Sequence, residues 1–68
     1  MKTDYKIGDK VVLIKERHHN DPQVGKIKTI LTVSTGYSRY VWNLTFDDGI
    51  GADFHHVRPA TSLDEVLE

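Results

Sequence analysis

The segment RYVWNLTFDDGIGADF, residues 39–54, decides how the chain folds. Tyr40, Trp42, Leu44 and Phe46 alternate with Val41, Asn43 and Thr45, and a period of two is the pattern of a strand with one face buried. Asp47-Asp48-Gly49 follows at once. Asp-Gly between two such runs forms a hairpin turn, because glycine accepts a positive φ and aspartate tolerates one. Ile50, Ala52 and Phe54 then continue in phase as a second, antiparallel strand. Asp47 and Asp48 are therefore read as turn formers before they are read as chemistry.

Working outward, KVVLIK (10–15) is a β-branched run behind Gly8-Asp9, which reads as a strand. VGKIKTILTV (24–33) alternates at Lys26, Ile27 and Lys28 and then loses phase at Ile30-Leu31, which predicts a bulge or a sharp bend. DFHH (53–56) reads as a single helical turn and VRPA (57–60) as a last short strand, with Pro59 at a strand end or an edge. TSLDEVLE (61–68) reads as a helical turn with Ser62 as N-cap and Glu65 at the capping-box position. Eight residues are too few for an independent helix, so it stays frayed unless Leu63, Val66 and Leu67 dock. In VVLI, Val11 and Leu13 turned inward leave Val12 and Ile14 facing outward. The tail, the curl of the sheet or a partner must cover them.

A chain of 68 residues is one domain, and a domain of that size buries only about 60% of the surface its unfolded chain exposes. There is no cysteine to add a disulfide. The N-terminus has no apolar signal segment, and no run approaches the roughly 20 apolar residues of a membrane helix, so the sequence reads as a soluble cytoplasmic protein with no membrane partner. The net charge of −1 conceals an asymmetry: residues 1–46 carry eight Lys/Arg and four Asp/Glu, residues 47–68 one Arg and six acids. A general nucleic-acid binder is basic as a whole; here a phosphate contact would need a local patch.

Five short strands without a long helix describe a small antiparallel barrel. YKIGDKVVLIKERHHNDPQVGKIKTI, residues 5–30, resembles the KOW-type opening of a Src-homology-3-like barrel through Gly8, Asp9, Val11, Leu13, Gly25, Lys26, Ile27 and Ile30. FDDG and VRPA are similar to the later hairpin and closing strand of that group. The resemblance implies an all-β, five-stranded SH3-like barrel over residues 4–60, with residues 61–68 a short helical or disordered tail. The loop from Glu16 to Val24 is longer and less glycine-rich than the usual KOW loop, which argues against a ribosomal-type RNA contact there. Such a barrel carries nucleic-acid, peptide and protein binding alike.

Two His-His pairs raise the question of a metal. Zinc wants four converging ligands. If each pair is extended, its rings point to opposite sides, so His18 or His19, His55 or His56, and Asp21 or Asp53 would have to supply the set. The reading adopted is loop histidines with no metal and no cofactor. No glycine-rich phosphate loop and no Ser or Cys nucleophile motif is present, and a core this small can hardly bury a perturbed acid-base pair, so no enzyme is expected. The expectation is a non-catalytic binding module, an accessory or regulatory protein of the kind phages and mobile elements carry. It docks on another protein through a rim of Arg17, His18, His19, Tyr37, Arg39, Trp42, His55 and His56, and a homodimer is the further option, with Val12 and Ile14 as its surface. The alternative is nucleic acid held by Lys26, Lys28, Tyr37, Arg39 and Trp42, which would combine charge with base stacking.

Overall fold

The computed structural model describes residues 4–36 and 41–67. Five strands, β1 (Lys10–Leu13), β2 (Ile27–Val33), β3 (Leu44–Phe46), β4 (Gly51–Ala52) and β5 (Val57–Pro59), form one antiparallel sheet in the order β4-β3-β2-β1-β5. A 3-10 turn, Phe54–His56, leads into β5, and a short helix α1 (Ser62–Leu67) follows it. The fold is small and all-β. Among the described residues no helix is long and apolar enough to cross a membrane.

The phase break in the second run is a bulge: Ile30 pairs with Phe46, Thr32 with Thr45, and the register shifts between them. Leu31, the extra residue, is turned to solvent. Asp47-Asp48-Gly49 makes the turn, with Gly49 at φ 86° and its N–H bonded to Phe46 O at 3.1 Å. Pro59, which has no N–H to donate, lies on β5 at one end of the sheet, where the missing donor costs no ladder bond beyond β1.

The strand expected over residues 39–46 is shorter, Leu44–Phe46. Tyr40 lies outside the described residues, and Asn43 is committed sideways: its Nδ2 donates to Ser34 O and Gly36 O, and its Oδ1 accepts Phe54 N–H. Trp42 thus leaves the phase of Leu44 and Phe46 and is 43% exposed, whereas those two are fully buried. One cluster holds the core together, with Val11, Leu13, Ile30, Leu44, Phe46, Ala52 and Val57 from the five strands joined by Tyr5 and Phe54.

At the C-terminus the cap sits one residue earlier than expected. Thr61 N–H donates to Asp64 Oδ2 at 2.7 Å while Asp64 N–H donates to Thr61 Oγ1 at 3.3 Å, a reciprocal capping box on Thr61 and Asp64 rather than Ser62 and Glu65. The shift has a physical cause. Asp64 in that position also accepts from both terminal guanidinium nitrogens of Arg58, at 2.7 and 2.8 Å.

Candidate functional site

The loop between β1 and β2 is built on one buried carboxylate. Asp21 accepts Arg17 Nε at 2.7 Å and Nη2 at 2.9 Å, together with the backbone N–H groups of Arg17 and Gln23. Arg17 Nη1 then donates to Gly51 O at 2.9 Å, tying this loop to β4, 34 residues away in sequence. The Asp21 side chain has no exposed area. Beside the Arg17 guanidinium its carboxyl titrates well below the usual carboxylate range, against the opposing effect of burial.

Trp42 packs on the same strand. A β-carbon at Gly51 would collide with Cδ1 and Cγ of its ring, so only glycine admits this approach. Trp42 also meets His56 edge-on, with ring centroids 6.0 Å apart, and His55 lies against His56 at 4.0 Å. The 3-10 turn explains how adjacent histidines come to sit together rather than splay apart. Arg17, Trp42, His55 and His56 therefore share one corner, where the β1–β2 loop, the entry to β3 and the 3-10 turn meet. His18 and His19 are exposed on the same β1–β2 loop, with His18 Nε2 3.9 Å from Asp21 Oδ1.

Lys28, grouped by the sequence with a basic patch, is buried on β2 and donates to Gln23 Oε1 and Asp48 Oδ2. Its aliphatic stem runs along the inner face while the ammonium reaches the rim. Lys26 remains exposed. Tyr37 and Arg39 lie outside the described residues.

Among the described residues, Asp53, His55 and His56 place potential ligand atoms within 4.8 Å of one another; neither His18 nor His19 belongs to this group. His56 weakens the case for a metal there. Asp53 N–H donates to His56 Nδ1 at 3.0 Å. With that lone pair occupied, the neutral ring carries its proton on Nε2 and has no free lone pair for a metal. A cation would have to break the turn or share only Asp53 and His55, short of the four ligands zinc prefers.

The same bond gives His56 a pH signature. Burial pushes its imidazole below the ordinary histidine value; His55, Arg17 and Lys15 push the same way, and Asp53 opposes them. Protonation would also replace the Nδ1 acceptor by a donor facing Asp53 N–H. Because the folded state holds its proton less tightly, stability is fully present above the unfolded value of about 6.5 and falls as pH drops from there toward the folded pKa. We expect thermal scans at pH 7.5 and 5.5 to show the loss, with His56→Gln flattening the difference. Equal slopes in the two proteins would refute the assignment.

Compared with protein-family models, curated proteins and solved structures, the chain matches none of them.

Proposed function

We propose that the chain is a KOW-like, SH3-type barrel acting as a non-catalytic module that docks on another protein, with Trp42 at the centre of its contact and His55 and Arg17 beside it. The meander order, β2 shared by both halves of the sheet, and a single core fed by all five strands support closure into a barrel. The observation that carries the docking reading is Trp42, a large ring 43% exposed yet seated against Gly51 and His56. A preplaced tryptophan loses little freedom on binding, and tryptophan is among the residues that dominate protein interfaces.

Charge favours a protein over a nucleic acid. Arg17 and Lys28 already pair with Asp21 and Asp48, and Asp53 places a carboxylate in the same corner. Phosphate binding would instead need free cations around the ring.

Two experiments test the reading. Amide shifts followed during titration with short single- and double-stranded oligonucleotides should not move at Lys26 and Trp42 at low salt; salt-sensitive shifts there would transfer the site to nucleic acid. A photo-crosslinking amino acid in place of Val41, exposed beside Trp42, should give a protease-sensitive, nuclease-resistant adduct in cells that Trp42→Ala abolishes. An adduct indifferent to that substitution would overturn the proposal.

A further inference from the structure

The helix α1 is mounted with its sides reversed. Its polar residues hold it to the sheet: Asp64 grips Arg58 through two oxygens, and Glu65 Oε1 takes Lys10 Nζ at 3.0 Å. Two of its apolar residues point away, Leu63 66% and Val66 80% exposed. A surface helix ordinarily turns its apolar stripe to the core, so an anchored helix that shows it to water has a face without a cover.

Next to the helix lies the complementary surface. On the outer side of the sheet Val12 pairs across strands with Ile27 and with Arg58, and Ile14 and Val24 extend the same apolar floor into an open groove of about 580 Å³. Ile14 is 50% and Val24 40% exposed, so the helix does not cover its own groove. Arg58 and Asp64 line the groove's border, which places groove and helix side by side.

We propose that a second copy of this chain covers both: α1 of each copy lays Leu63 and Val66 over the Ile14, Val24 and Ile27 groove of the other. Charge selects this occupant. Lys26 lines the groove and Lys15 is exposed next to Ile14, while on the helix Glu65 meets Lys10 through one oxygen with both side chains about half exposed, so its carboxylate stays open to a lysine of the other copy. Because helix and groove adjoin across Arg58 and Asp64, a two-fold axis near that pair brings each helix to the opposite groove. A contact that its partner repeats is the usual geometry of small homodimers. The inference does not rest on the Trp42 corner and survives or fails without it.

Sedimentation of the full chain from about 10 µM to 1 mM, a range suited to a small interface, should show the mass rising from 7.8 kDa toward twice that value. Leu63→Asp and Ile14→Glu, both at exposed positions, should each weaken association at least tenfold with the circular dichroism unchanged. Mixing the two variants restores one intact helix-groove contact, so a heterodimer should form at concentrations where each alone is monomeric. A wild-type chain monomeric at 1 mM, a dimer that only one of the two substitutions affects, or a mixture no more associated than its parts would each overturn the proposal. Rescue of the wild-type mass by Leu63→Asp alone, with the groove intact, would identify a different interface and do the same.

Discussion

Replacement of Arg17 by methionine is expected to lower stability more than any substitution at an exposed position. The methionine keeps much of the volume but leaves the Asp21 carboxylate buried without its cation, and removes the bond to Gly51 O that ties the long loop to β4. Removing one member of such an ion pair leaves the other charge without compensation and is strongly destabilising, in a chain whose total stability is only about 3–10 kcal/mol. Urea unfolding followed by the fluorescence of Trp42, the one tryptophan of the chain, gives the change directly. Asp21→Asn should act in the same direction, and the double substitution should cost clearly less than the two single losses added, because residues in one network couple. Additive losses would show that the pair does not act as a unit. The wild type should also lose this contribution on acidification: with the folded carboxyl titrating below its usual range, the stabilisation is present above pH of about 4 and fades below it.

That anchor was not read from the sequence, and the reason is instructive. ERHHNDPQ drew attention through its histidines, with Arg17 assigned to a contact rim and Asp21 to a possible metal set, and nothing in the spacing marked the two as partners of each other. Their four-residue separation was visible; that the loop would turn at Asn20, with φ 57°, and close over the pair was not. Lys28 failed to show for the same reason. Its partner Asp48 lies 20 residues away, and a period-two pattern with lysine on the inner side contradicts the hydrophobic rule unless that partner is known. What the residues did reveal was local: the Asp-Gly turn, the bulge at Leu31, the helical turn at Phe54–His56 and the edge position of Pro59 each follow from the backbone preferences of a few neighbours. The site is split the same way. Trp42 is legible as a rim residue, but its seat on Gly51 and its contact with His56 depend on three separate segments meeting. The orientation of α1 is a tertiary choice too, since Asp64 and Glu65 find Arg58 and Lys10 only once β1 and β5 are paired.

Phe54→Ala should be the most damaging substitution among the apolar residues that flank the site. Phe54 is 8% exposed and stacks on Tyr5, with ring centroids 6.1 Å apart and planes 18° from parallel. This contact fastens the segment before β1 to the turn that carries His55 and His56. Truncating a buried phenylalanine to alanine costs about 3–5 kcal/mol, from lost burial and from the cavity left behind. Phe54→Leu, which keeps most of the volume, should cost much less. The effect reaches the site because the turn has two kinds of anchor. Its backbone is tied to the end of β1 through Ile14 N–H and Lys15 N–H, which both donate to His56 O, at 2.8 and 3.2 Å. Its apolar hold is Phe54. Without the ring the backbone tie survives but the turn can tilt, and His56 no longer presents a fixed edge to Trp42. The tryptophan emission of Phe54→Ala should therefore shift to longer wavelength even in the absence of denaturant, while Tyr5→Ala, which removes the partner ring but leaves Phe54 in the core, should lower stability with the native emission maintained. Matching emission changes in the two variants would mean that Phe54 acts on global stability alone and does not position the Trp42 corner.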